Sequence, residues 1–295
     1  MSFGPAGASG YAVPPNTLVR VAQTRRKALL MDGIWLLVFR FRHLSRLGVP
    51  HGLTRRHRAL PGQGNVGFAG APLHEVVCNR ERWWRAIGLD WQRTVFARQV
   101  HGTTILTVTA QDAGRGARLP DTALPSSDGL ATAEVELPLA VLCADCAPIL
   151  LYDPVNHVAG ALHAGWRGTV DGIAVHAVQT LRAAFGTDPD RLLVGIGPTI
   201  GPCCYEVGDE VIEGWSALGI GRAARAVTRV GGHWRFDLVT ANRLALESAG
   251  VAARNIEVAG ICTRCRSDEW FSHRAARAGT ALPGHFAAVI AVPLK

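Results

Sequence analysis

Residues 139–164 read LAVLCADCAPILLYDPVNHVAGALHA: long apolar runs interrupted by "CADC" and by one polar turn. They lack polar–apolar alternation, so they read as strands buried on both faces, "LPLAVLCADCAPILLYD" as a strand pair or one bent strand and "HVAGALHAG" as another. Such strands need covering layers. "HEVVCNRERWWRAIGL" supplies a helix ended at Gly88, and "TVDGIAVHAVQTLRAAFG" a second. In the latter Val170, Ile173, Ala174, Ala177, Val178, Leu181 and Phe185 share one face, and Gly186 is the C-cap. "RTVFARQVHG" reads as a strand running into a turn, and "RLLVGIGP", "NIEVAGICT" and "HFAAVIAV" as further strands. "GDEVIEGWSAL" and "LVTANRLALESAGV" read as helices. Helices and strands mix without strict alternation, which predicts an α+β layered fold rather than a doubly wound sheet. One domain is expected over 34–295, preceded by a basic extension over 1–33 whose "FGPAGASG" and "VPPN" break regular structure.

The charge is uneven. Residues 1–74 carry ten Arg/Lys against a single acid, Asp32, while the rest carries 21 basic and 22 acidic side chains. No aromatic-interleaved basic patch follows, so no nucleic-acid partner is expected. No apolar run reaches the length that crosses a bilayer, so no membrane association is expected either. Seven cysteines without a secretory signal point to a reduced, cytoplasmic setting, where clustered thiols mean metal or catalysis.

Two C-x-x-C pairs occur, Cys143/Cys146 and Cys262/Cys265, and together they could form a four-thiolate zinc site. The 115 residues between them, and the place of "CADC" inside an apolar run, argue against it. Pro148 argues against a redox dithiol, which prefers a helix start. A mixed set fits better. His101 follows "RQV", Cys146 ends "CADC" and His163 ends "VAGAL", each at a strand end beside small residues. Two imidazoles and a thiolate suit Zn²⁺ or copper and leave a fourth position open. The same atoms suit a thiol hydrolase with Cys146 as nucleophile, and spacing does not separate the two. The turns "HAGWRGT" and "GIGPTIGPCC" match neither G-x-x-x-x-G-K-[ST] nor G-x-G-x-x-G, so an ordinary nucleotide fold is unsupported. Arg167 beside the first of them could hold a phosphate or carboxylate.

Taken together, "HGLTRR", "GNVG", "RQVHG", "SDGL", "ADCAPILLYD", "HAGWRG", "GPTIGPCCYEVG" and "CTRCRSDEWFSHR" resemble the laccase-domain family, long named multicopper polyphenol oxidase and described as purine nucleoside phosphorylases. The resemblance implies a layered α/β/β/α sandwich with mixed sheets. It implies one metal, zinc with copper as the alternative, on His101, Cys146 and His163, which are also the catalytic set. It implies phosphorolysis of adenosine, inosine, guanosine and methylthioadenosine, with adenosine deamination as a second activity. Purine nucleoside and phosphate are then the partners of a monomer. A peptidoglycan-precursor editing hydrolase using Cys146 or its metal, and a copper-dependent polyphenol oxidase, are the alternatives. Arg55, Arg98, Arg167 and Asn65 are the candidates for holding substrate or anion. The acid/base is unassigned: no H-x-E follows either ligand histidine, and Asp145 neighbours Cys146. Two departures from the family pattern fall at "TRRHRALPGQG" after Leu53 and at Gly284-His285, where the family carries Gly-Arg.

Overall fold

The computed structural model describes residues 20–21, 27–31 and 33–294. Among these the largest sheet has seven strands, in the spatial order Arg20–Val21, Ile256–Val258, Leu193–Ile196, Ala147–Asp153, Val158–Ala164, Gly129–Thr132 and Ile105–Thr107. Its middle pair is antiparallel, with Ala147 opposite Ala164 and Pro148 opposite His163. Parallel pairs towards both edges make the sheet mixed. A second, antiparallel sheet runs His51–Leu53, Phe286–Ile290, Leu139–Cys143.

Alternation along the strands builds the layers. Leu150, Tyr152, Ala159 and Ala161 face Val141, Phe286, Ala288 and Ile290 of the second sheet. Ile149, Leu151 and Leu162 point the other way, onto the helices Ile173–Phe185 and Leu238–Ser248. Beyond the second sheet, Ala140, Ala287 and Val289 pack on Trp83, Trp84 and Ile87 of the helix Leu73–Ile87. The order is helix, sheet, sheet, helix, the expected α/β/β/α sandwich. Each large aliphatic or aromatic side chain buried between layers stabilises the fold by about 1.5–3 kcal/mol.

Two expectations change in detail. The expected helix over 169–186 is two helices, Trp166–Val170 and Ile173–Phe185, because Gly172 takes a left-handed conformation (φ 83°) between them. The expected strand in "RTVFARQVHG" makes only isolated bridges, Val95 to Leu139 and Ala97 to Leu124, as it passes from one partner to the next. Most of the 1–33 extension lies outside the described residues. Within it Arg20–Val21 pairs with the large sheet, and Lys27–Met31 forms a hairpin with Ile34–Val38, so a boundary at 33 cuts a paired unit.

His51 shows how the interior constrains charge. Its ring is fully buried and stacks at 13° on Phe41. Nε2 accepts the Phe41 N–H at 2.9 Å, and Nδ1 donates to the Val49 carbonyl at 2.8 Å. Only a neutral ring can do both. Burial above all, with Arg40 and His43 nearby, lowers its pKa to about 4. The folded value lies below the unfolded one, so the unfolded chain takes up the proton first and stability is lost as pH falls from about 6.5 towards 4. Between pH 7 and pH 5 the native protein is expected to lose about 2 kcal/mol more than His51→Gln in urea unfolding. Equal losses would show that His51 is not the acid-sensitive group.

Candidate active site

The chain crosses from the second sheet to the first between Cys143 and Ala147. Asp145 turns the corner with φ 86°, a left-handed conformation that costs roughly 1–3 kcal/mol in a non-glycine residue. Its neighbours hold it there. Thr263 Oγ1 donates to Oδ1 at 2.6 Å, Arg274 N donates to Oδ2 at 2.7 Å, and Ile200 N donates to its carbonyl at 2.9 Å. The Asp145 carboxylate is thus occupied in shaping the corner, and this positions Cys146 at the seam between the sheets.

The register of the middle strand pair then sets His163 across from Pro148, two residues beyond Cys146. His101 arrives from a loop, also with positive φ (62°). The nitrogen and sulfur ligand atoms of His101, Cys146 and His163 all lie within 4.8 Å of one another. Cys146 Sγ is 3.9 Å from His101 Nε2, and the two imidazoles meet edge to face at 4.9 Å. Gly165 leaves the necessary space: a Cβ there would stand 2.8 Å from the His101 ring and 3.1 Å from Cys146 Sγ.

Asp128 organises the trio. It is buried, and its Oδ1 accepts His163 Nδ1–H at 2.8 Å, which directs Nε2 away from the carboxylate. The same carboxylate receives the N–H groups of Val100, His101 and Gly102 at 2.8–3.0 Å, so it shapes the His101 loop as well. A carboxylate behind a ligand histidine is the usual outer support of a metal site. Two imidazoles and a thiolate, so supported, fit zinc or copper. Burial pushes the Cys146 thiol up, but His163 above all, with His101, outweighs it and brings the thiol down to about 6. Burial disfavours the His163 cation, yet Cys146 and Asp128 raise it to about 9. Such a thiolate–imidazolium pair is primed to act as a nucleophile, and it can ligate a cation once the imidazolium gives up its proton.

The trio opens on a cleft of about 940 Å³, a size that holds a small organic ligand. Arg98 and Arg167 line it, with Arg167 stacked 4.2 Å from the Trp166 ring. Arg115, Arg274, Arg277 and His273 add further basic side chains that the sequence reading missed. Tyr205 and His285 also line it. Burial first, then His163 and His273, lowers His285 to about 4, so it enters the cleft as a neutral ring.

Two candidates fall elsewhere. Arg55 is ion-paired with Glu269 and lies over the Trp270 ring, outside the residues lining the cleft. Asn65 spends its side chain on backbone: Oδ1 accepts from Gly67 N and His285 N, and Nδ2 donates to the Gly67 carbonyl. It braces the loop that carries His285. The C-x-x-C pairs also part company. Cys143 is buried in its strand, whereas Cys262 and Cys265 meet Cys203 and Cys204.

Known proteins share this architecture. The chain is 38% identical over 240 residues, 79% of its length and 87% of the relative's, to purine nucleoside phosphorylase YlmD of Geobacillus stearothermophilus. The crystal structure of that YlmD superposes with a TM-score of 0.81 at 35% identity, covering 90% of this chain and 98% of the other. A protein named adenosine deaminase RL5, from an unknown prokaryotic organism, is 34% identical over 73% of this chain and 82% of its own length. Residues 59–293 match the profile described as multi-copper polyphenol oxidoreductase laccase, and with these relatives and this fold the chain belongs to that family.

Proposed function

We propose that this protein is a metal-dependent purine nucleoside phosphorylase, with zinc on His101, Cys146 and His163. The observation that carries the reading is the meeting of that trio with Arg98, Arg167 and Arg274 in one cleft of nucleoside size, and the relatives named purine nucleoside phosphorylase support it. In phosphorolysis a phosphate oxygen bonds to the ribose carbon C1′ as the bond from C1′ to the purine nitrogen breaks, and the phosphate's proton ends on the departing purine. Zinc supplies Lewis acidity and a fixed positive charge to such a site. The arginines hold the phosphate dianion and orient it, with charge-assisted contacts each worth about 1.5–3 kcal/mol. Asp128 holds His163 and the His101 loop in place throughout. Adenosine, inosine, guanosine and methylthioadenosine are the substrates expected to share the cleft.

The relative named adenosine deaminase favours a second activity on adenosine. Adenine as product reports phosphorolysis, and inosine with ammonia reports deamination.

Purified protein supplied with inosine should release hypoxanthine at a rate that rises with phosphate and is lost to a chelator. Arg167→Ala should raise the KM for phosphate or lower kcat by about ten- to a hundredfold, and Arg167→Lys should recover only part, since lysine lacks the planar fork. A rate indifferent to phosphate and chelator, but abolished by iodoacetamide, would instead mark a thiol hydrolase. Inertness toward nucleosides with cleavage of a muropeptide precursor would mark the editing reaction, and oxygen-dependent phenol oxidation the polyphenol oxidase.

A further inference from the structure

Four of the seven cysteines gather away from the trio. Cys203 and Cys204 lie on the turn after Gly201, and Cys262 and Cys265 on the turn that follows the strand Ile256–Val258. A lone parallel bridge between Thr199 and Cys262 aligns the two loops, with Thr199 N donating to the Ile261 carbonyl and Thr263 N to the Thr199 carbonyl. All four sulfurs lie within 4.8 Å of one another. Cys265 Sγ is 3.4 Å from Cys204 Sγ and 3.7 Å from Cys203 Sγ. Sulfurs bound to one tetrahedral zinc at about 2.3 Å stand roughly 3.8 Å apart, so the cluster already has the dimensions of a tetrathiolate. The thiols do not sort into pairs, because Cys265 approaches both Cys203 and Cys204. The Gly201 N–H points at Cys262 Sγ from 3.2 Å, the kind of backbone donor that supports a ligating sulfur. Cys203 and Cys265 are exposed, which leaves an ion a way in.

We propose that Cys203, Cys204, Cys262 and Cys265 form a second, structural Zn²⁺ site that clamps these two loops together. Each thiol gives its proton to solvent on binding, and no electrons move. The clamp acts where regular structure is sparse, and the residues it ties are those that hold the active-site corner. Thr199 Oγ1 donates to the Asp145 carbonyl at 2.5 Å, and Thr263 Oγ1 to its carboxylate. Tyr205, next to Cys204, lines the cleft. The ion would therefore position Asp145, and through it Cys146, without touching substrate. The tetrathiolate stands whatever reaction the cleft carries out.

The test is metal analysis of the full chain purified without chelator. The native protein should carry two zinc ions. Cys262→Ser/Cys265→Ser should carry one, held by the trio, and His101→Ala/His163→Ala should also carry one, held by the four thiols. Cobalt exchanged into the His101→Ala/His163→Ala protein should give the charge-transfer and visible bands of a tetrahedral tetrathiolate. Should the serine variant not fold, alkylation mapping of the native protein decides. Cys203 and Cys265, although exposed, should resist iodoacetamide until zinc is stripped. Zinc content unchanged in Cys262→Ser/Cys265→Ser, iron in place of zinc, or a denatured, metal-free intact mass four hydrogens short, which marks two disulfides, would overturn the proposal. So would free-thiol alkylation rates at Cys203 and Cys265 in the zinc-loaded protein.

Discussion

His163→Ala is expected to empty the cleft of metal and to lower turnover by about a thousandfold or more. A metal's contribution to charge stabilisation is several kcal/mol, and each 1.36 kcal/mol is about tenfold in rate. His163 is the most constrained of the three proposed ligands, buried on its strand and tied to Asp128 through Nδ1. Its loss leaves His101 and Cys146, too few ligands for a stable zinc site. It also leaves the Asp128 carboxylate without its imidazole partner. Asp128→Asn should be milder. The ligands remain, but the outer support is weakened, and metal affinity should fall roughly 10- to 100-fold. The asparagine amide would also meet the N–H groups of Val100, His101 and Gly102 with fewer acceptors than the carboxylate. Zinc titration of the two variants, beside their rates, checks the order. Full cleft occupancy and near-native turnover in His163→Ala would remove the trio from the account.

Arg80→Met is expected to cost about 3–5 kcal/mol of stability, because three buried carbonyls lose a donor at about 1–3 kcal/mol each. Arg80 projects from the helix Leu73–Ile87 and is 1% exposed. Nε donates to the Val66 carbonyl at 2.9 Å, and Nη1 to the Gly116 and Ala117 carbonyls at 2.8 and 2.7 Å. Its guanidinium lies between the Phe68 and Phe96 rings, 4.2 and 4.0 Å from their centroids. Methionine fills much of the volume but donates nothing, so three carbonyls lose their donors. The melting temperature should fall by roughly 10 °C for a chain of this size. A change below about 1 kcal/mol would mean that water replaces the guanidinium without penalty.

The convergence of His101, Cys146 and His163 was legible because its signal is local. Each sits next to glycine or alanine, and an antiparallel register carries Cys146 and His163 to one seam. The α+β layering was legible in helices and strands that mix without strict alternation, and the α/β/β/α order in the family resemblance. What escaped depends on partners far along the chain. Arg55 looks like a free cation until Glu269, more than two hundred residues later, pairs with it. Asn65 looks like a substrate contact until the loop of His285 folds onto it. Asp128 lies in the short "SDGL" stretch, and its role appears only when the His101 loop closes over its carboxylate. The four-cysteine cluster escaped because only the two C-x-x-C pairs were weighed against each other, and that pairing was rejected. The adjacent cysteines of "GPCC" are the true neighbours of Cys262 and Cys265, brought there by the single bridge from Thr199 to Cys262.

Phosphorolysis is tested by the identity of the sugar product formed from inosine and phosphate in ¹⁸O-labelled water. Phosphorolysis in the cleft predicts hypoxanthine and ribose 1-phosphate in equal amounts, with no solvent oxygen on the sugar, and loss of both products in His163→Ala. Free ribose carrying ¹⁸O at C1, formed at the same rate without phosphate, would contradict it.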